Sequence, residues 1–303
     1  MSEIITSAAN PLVKRVRSLA DRKYRRQQGA FVVEGVQPVG RALEAGWEVE
    51  VLIVAPDLLA GTAAAIVADR VAGPGIRVAQ VSAELFGRMS DREGPSGLAA
   101  IVRGGLTRPG DLPTGPGSVY VALHDVGNPG NLGTIIRTAD ATGAAGVILI
   151  GHTADPFAPA AVKASMGSLF SVPVAHVADA GEFFRWAGQA GVRVLATSGR
   201  ADREYWTTAY RPPLAILLGS EGTGLPAEVL EQADQRISIP MTGTAESLNL
   251  AVAAGVMLYE VRRQLTAAGS VADTSHRDEC ARARGGAADV EGPVDAEGAG
   301  TAR

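Results

Sequence analysis

The run Val119-Tyr120-Val121-Ala122-Leu123 and, shortly after it, Asn128-Pro129-Gly130-Asn131-Leu132-Gly133-Thr134-Ile135-Ile136-Arg137 read as a buried strand leading through a tight loop into a helix. Asn128 suits a helix N-cap and Pro129 a first helical position. Gly130 and Gly133 let another backbone or a ligand come close. Leu132, Ile135, Ile136 and Ala139 fall on one helical face at i, i+3, i+4 and i+7. With about 100° of rotation per residue, Arg137 points away from that stripe and is free to act outside the core.

Further apolar strand candidates follow at Gly146 to Ile150, Val172 to Val177, Val192 to Ala196, Leu214 to Leu218 and Arg236 to Ile239, with helical stretches between most of them. That alternation predicts an α/β domain over 119–266, built on a parallel sheet covered on both faces. Ligands of such sheets bind beyond the carboxyl ends of the strands. Towards the N-terminus, Phe31 to Val33, Val49 to Val54, Ile76 to Val81 and Leu98 to Val102 read as strands. The stretches Val36 to Ala45, Leu58 to Val71 and Ala83 to Met89 read as helices, giving a smaller α/β domain over 1–104. Residues 105–118 are dense in glycine and proline and are expected to be a linker. From 267 to 303 almost nothing large and apolar remains, so ordering that tail has no burial to offset its entropy cost, and disorder is expected.

The chain has 303 residues, 46% hydrophobic and 20% charged, enough for two cores. It lacks both a membrane-length apolar run and the layout of a secretion signal, so a soluble, cytoplasmic protein is expected. The single cysteine, Cys280, lies in the polar tail, which excludes an intrachain disulfide and argues against a thiolate metal site. His124, His152, His176 and His276 have no metal-ligand spacing, and no metal is expected. A net charge of -4 conceals a basic N-terminus: Lys14, Arg15, Arg17, Arg22, Lys23, Arg25 and Arg26 stand against Glu3 and Asp21. Residues 11–26 also place Leu12, Val16 and Leu19 at helical spacing, so one basic helix is expected there. Clustered cations bind polyanions by releasing condensed counterions, and the alternative is a solvated helix face.

Two more stretches carry chemistry. Leu218-Gly219-Ser220-Glu221-Gly222-Thr223-Gly224-Leu225 follows an apolar strand, and its glycines permit a turn beside a ligand. The pattern is neither a P-loop nor a dinucleotide fingerprint. Glu221 is its only carboxylate, able to orient Arg137 or a polar ligand. In Ile239-Pro240-Met241-Thr242-Gly243-Thr244-Ala245-Glu246-Ser247-Leu248-Asn249 the proline ends a strand, and Ser247 is a candidate N-cap for the apolar helix that follows. Capping by Ser247 leaves Asn249, in the first turn of so apolar a helix, without a structural reason. Arg137 itself reads as a catalytic cation or as a surface arginine paired with Asp140 or Glu221. His124, at a strand end near the first motif, is a lesser general-base candidate or a structural residue.

Taken in order, the three stretches resemble the SpoU/TrmH group of SPOUT methyltransferases. The resemblance implies S-adenosylmethionine as cofactor, a ribose 2′-hydroxyl of structured RNA as acceptor, a trefoil-knotted catalytic domain and a homodimer with the active site near its seam. Arg137 occupies the position of the arginine that activates the hydroxyl, with Asn128 and Asn131 matching the polar residues of the same loop. Asn131, Glu221, Ser247 and Asn249 are implied as active-site groups. Thr197, Leu218, Gly219, Glu221, Gly222, Ile239, Met241, Ser247 and Leu248 are implied around the cofactor. The N-terminal region, including Ser7 to Lys14, Arg22 to Arg25 and Gly29 to Gly35, is similar to the family's RNA-binding domain. Lys14, Arg15, Arg22, Lys23, Arg25, Arg26 and Asn128 are then the expected RNA contacts. Ribosomal RNA, 23S above all, is the leading substrate, with tRNA as the alternative and a non-catalytic ribosome-assembly factor as a reading from a different class. A nucleotide-dependent oxidoreductase is disfavoured by the glycine pattern.

Overall fold

A computed structural model of the chain describes residues 4–59, 76–90, 94–201 and 203–269. The expected helix Leu58 to Val71 lies almost wholly outside the described residues, as does the expected tail beyond 269. The N-terminal part holds strands β1 (Ala30–Glu34), β2 (Val49–Val54), β3 (Arg77–Gln80) and β4 (Leu98–Arg103) in the order β1-β4-β2-β3. Helices α1 (Pro11–Ser18), α2 (Arg22–Gln28), α3 (Val36–Glu44) and α4 (Ala83–Met89) pack around them.

The single basic helix expected over 11–26 is two helices. Leu19, only 1% exposed, caps the first, and Asp21 starts the second by accepting a 2.7 Å hydrogen bond from the Lys23 N–H. An aspartate side chain that bonds nearby backbone offers the chain an alternative to continuing a helix.

The C-terminal part is a six-stranded, wholly parallel sheet in the order β10-β8-β9-β5-β6-β7. Its strands are β5 (Val119–His124), β6 (Gly146–Ile150), β7 (Val174–Val177), β8 (Arg193–Thr197), β9 (Leu214–Leu218) and β10 (Gln235–Ile237). The helices are α5 (Pro129–Thr142), α6 (Pro159–Ser165), α7 (Ala180–Gln189), α8 (Ala227–Gln232) and α9 (Leu250–Ala267). Tyr120, Phe183 and Trp186 build the core on one face, while Val121, Ile135, Ile216 and Met257 build it on the other. Because the chain leaves β5 towards β6 but leaves β9 towards β10, these two neighbours form a switch point. All three motifs emerge at the same carboxyl edge.

The second of those cores does not stop at the domain boundary. It runs on through Phe31, Val33, Leu52, Leu98 and Val102 of the N-terminal sheet. At the seam Phe31 packs 4.7 Å from Phe157, and Trp47 stands edge-on to Phe170 at 5.2 Å between centroids. Such aromatic pairs each add about 0.5–1.5 kcal/mol beyond their buried area. The segment expected as a linker is docked too: Thr107 N–H donates to Val174 O at 2.8 Å, and the Tyr120 hydroxyl donates to the Pro113 carbonyl. The N-terminal part and the parallel sheet therefore share one packed seam.

Candidate active site

The first loop is built as its residues dictate. Asn128 accepts hydrogen bonds from the N–H groups of Gly130 (2.8 Å) and Asn131 (3.1 Å), which starts α5. Leu132, Ile135, Ile136 and Ala139 are fully buried. A Cβ on Gly133 would sit 2.2 Å from the Ala161 carbonyl oxygen, so the glycine is what lets α5 and α6 meet at backbone distance.

The turn after β9 closes on itself. A Cβ on Gly219 would lie 2.2 Å from the Gly224 carbonyl carbon, and Gly224 N–H donates to Ser220 O at 3.1 Å. This closure points Glu221 at the first loop. Its carboxylate accepts from the Asn131 side-chain amide at 2.9 Å and from the N–H groups of Gly127 and Asn128 at 3.3 Å. Burial works against ionisation, but these hydrogen bonds outweigh it and hold the carboxyl below the ordinary glutamate range.

The third stretch closes the circuit and corrects the sequence reading. Asn249, not Ser247, caps α9: its side-chain oxygen accepts from Ala251 N–H at 2.9 Å and from Val252 N–H at 3.4 Å. Its amide nitrogen meanwhile donates to the Asn131 side-chain oxygen at 3.1 Å. One asparagine thus performs the capping given to Ser247 and ties the third motif to the first, which is why it opens so apolar a helix. Ser247 is exposed, with no hydrogen bond among the described residues. Asn249, Asn131 and Glu221 form one hydrogen-bonded line across three loops that are far apart in sequence.

Around that line, Thr197 ends β8 and donates its hydroxyl to Leu217 O at 3.1 Å. Ile239 and Met241 are half-buried, whereas Gly222 is open and Leu248 remains 36% exposed. Arg137 is exposed on α5 and pairs with neither expected partner. Asp140 is taken by the Ser168 hydroxyl at 2.6 Å, and Glu221 by the first loop. At 1.5 Å per residue Arg137 lies about 9 Å along the helix from Asn131 and roughly 120° around it. Within one chain it stands apart from the line. His124 is buried at the end of β5, with Nδ1 3.4 Å from Asp125, and belongs to the strand end rather than to the line.

The N-terminal cations divide. Arg25, expected to contact RNA, is instead buried in the seam, 2.8 Å from Asp155, with further bonds to the carbonyls of Leu19 and Ala20. Arg15 is committed to Glu50 at 2.6 Å and to Gln28 at 2.8 Å. Lys14, Arg22, Lys23 and Arg26 are exposed. Sequence reasoning missed Asp155 because nothing near it in the chain reveals a partner 130 positions away.

Residues 118–259 match the SpoU rRNA Methylase family, and residues 10–100 match the MRM3-like substrate binding domain. The chain belongs to the SpoU rRNA methylase family. A 23S rRNA (uridine(2479)-2′-O)-methyltransferase of Streptomyces viridochromogenes is 33% identical over 81% of this chain and 87% of its own length. The 23S rRNA (guanosine(2553)-2′-O)-methyltransferase RlmP of Bacillus subtilis is 31% identical over 85% of this chain and 98% of its own. Among solved structures, an AdoMet-bound rRNA methyltransferase from Sinorhizobium meliloti superposes with a TM-score of 0.79 at 40% identity, covering 87% of this chain and 98% of that one. The α/β fold with its parallel sheet is that of the SPOUT methyltransferases, and the chain is an RNA methyltransferase of the S-adenosylmethionine-dependent SpoU type.

The residues present fit that cofactor. Half-buried Ile239 and Met241 and the 36% exposed Leu248 are apolar groups of the kind a purine ring packs against. The side-chain-free Gly219 turn brings backbone to the same edge. Among the described residues there is no cluster of His, Cys, Asp and Glu suited to a metal ion, and no helix long and apolar enough to cross a membrane.

Proposed function

We propose that this chain methylates a ribose 2′-hydroxyl of 23S ribosomal RNA in the cytoplasm, working as a homodimer with Arg137 as its catalytic cation. The observation that carries the reading is the Asn249–Asn131–Glu221 line, which unites three loops at the switch point, with Arg137 on the helix of Asn131 and without an ion pair among the described residues. Leu218, Gly219, Gly222, Ile239, Met241 and Leu248, with Thr197 and Ser247 at the margin, would hold S-adenosylmethionine, which would supply an electrophilic methyl group. The chain's own work is alignment and charge. Asn131, Glu221 and Asn249 fix the loops against one another, so that little reorganisation remains when substrate arrives. The Arg137 guanidinium would face the negative charge that grows on the 2′-oxygen as its proton passes to water and the new O–C bond replaces the S–C bond of the donor. Lys14, Arg22, Lys23 and Arg26 engage RNA phosphates.

An uncovered stripe on α9 supports the dimer. Val252 is 51% and Tyr259 57% exposed, with half-buried Val256 between them, and the Gly255 position of this helix lies against Thr138, next to Arg137. Pairing two such stripes buries the apolar residues and brings Arg137 of one protomer to the cofactor loops of its partner. The proposal includes the trefoil threading implied by the family resemblance, which secures the 241–249 segment against the other loops.

Methyl transfer from labelled S-adenosylmethionine to a 23S rRNA transcript tests this reading. Arg137→Ala is expected to lower kcat about 10²–10³-fold, as loss of one charge-stabilising donor does, while calorimetry shows cofactor affinity retained. Undiminished turnover removes Arg137 from the mechanism, and transfer to tRNA instead redirects the substrate. Tyr259→Asp is expected to give monomers in sedimentation and to lose activity with them.

A further inference from the structure

The domain seam contains a cavity of about 230 Å³ that the methyl-transfer site does not use. Phe31 and Phe157 line it, together with the backbone of Gly104, where a Cβ would touch the Phe31 ring at 3.1 Å. Exposed Arg22 and Arg26, with no ion pair among the described residues, stand at its rim beside Leu106, which is 42% exposed. Thr153 also lines the cavity. It is 94% buried (6% exposed), and its hydroxyl has no hydrogen-bond partner among the described residues. The one carboxylate present, Asp155, is neutralised by Arg25 at 2.8 Å. What remains is an aromatic floor, the Thr153 hydroxyl, the His176 ring with Nε2 2.9 Å from Gly151 O, and two guanidinium groups without an ion pair among the described residues.

Its position ties it to the catalytic edge. The loop carrying Thr153 leaves the carboxyl end of β6, next to β5, and Ala154 N–H donates to Val126 O at 2.7 Å, just before the Asn128 loop. The cavity loop thus follows the strand paired with β5 and is tied directly to the segment before the Asn128 loop, a placement that suits a nucleotide flanking the methylated one.

Building on the RNA reading of the active site, we propose that this cavity is a subsite for an unstacked nucleotide flanking the modified ribose. Its base lies against the Phe157 and Leu106 surface, Thr153 meets its polar edge, and Arg22 and Arg26 hold the adjoining phosphates. Single-stranded RNA is recognised by stacking splayed bases on aromatic rings. The subsite therefore governs which RNA is held rather than the chemistry done on it.

Gly105→Phe tests the proposal by filling the space, since a Cβ there meets nothing within 4 Å. With the full chain and a 23S rRNA transcript, Kd and KM for RNA are expected to rise about tenfold, equivalent to about 1.4 kcal/mol. The kcat at saturating RNA, S-adenosylmethionine affinity and melting temperature are expected to stay near wild type. Wild-type RNA affinity in a folded Gly105→Phe protein overturns the subsite. Should that variant not fold, the exposed Leu106→Ala decides: KM for RNA is expected to rise about fivefold, equivalent to about 1 kcal/mol, at unchanged kcat, and an unchanged KM overturns the subsite. A wild-type protein that binds the transcript but transfers no methyl group refutes the proposed activity, while the same binding titration still scores the cavity.

Discussion

At the domain seam Arg25 meets Asp155 across 130 positions of sequence, at 2.8–2.9 Å and almost without solvent. At the catalytic edge Asn131 reaches Glu221 across 90 positions and Asn249 across 118, in contacts open to water. Both bring distant residues together, by opposite means. The seam uses burial, aromatic packing and a desolvated charge pair, which fix an orientation. The edge uses amides and one carboxylate in water, which hold loops in register yet can exchange partners when cofactor and RNA arrive. Rigidity therefore lies behind the site and adaptability within it.

The largest expected effect breaks the seam. Asp155→Ala leaves the Arg25 charge buried and unpaired, and is expected to cost about 3–5 kcal/mol of stability, measured by denaturant unfolding. Gly219→Ala attacks the edge through its backbone: with Gly224 atoms 2.2 Å from the new Cβ, the turn must open. A loss of about 1–3 kcal/mol is expected, together with collapse of S-adenosylmethionine affinity in calorimetry. Cofactor binding unaffected by Gly219→Ala contradicts the place given to this turn.

A subtler change separates the two regions by pH. Glu221 is held below the ordinary glutamate range near 4.3, so its ionised form stabilises the loops at neutral pH. That contribution is complete above the ordinary value and is lost as pH falls from there through the depressed value. In an NMR titration the Asn131 side-chain amide is expected to shift only in that acid window, and Glu221→Gln is expected to abolish the shift. A midpoint at or above the ordinary value contradicts the hydrogen bonding described. Smallest of all, Lys23→Ala is expected to lower the salt slope of RNA binding by about one. Arg15→Ala, whose charge is committed to Glu50, is expected to leave the slope unchanged.

Much of the site was legible because its signals are local. The Asn128-Pro129 helix start, the apolar stripe of α5 and the glycine turn after β9 are each written within a few residues. The Ser247 assignment failed for a local reason too: two capping-type residues stand two positions apart, and only the path of the chain decides which accepts the helix N–H groups. Arg25 failed for a distant one. Among seven cations of similar local context, burial is decided by where Asp155 arrives, and neither charge counting nor helical periodicity carries that information.

The sequence by itself determined the alternation of strands and helices, the faces they bury and the order of the three polar loops, since these depend on periodicity and on residues a few positions apart. Only the tertiary structure decided that Asn249 joins Asn131 and Glu221, that the two domains share a core, and that Arg25 is buried against Asp155 while Arg22 and Arg26 are exposed. Those outcomes depend on contacts between residues some ninety or more positions apart, whose geometry is set by the packing of whole sheets.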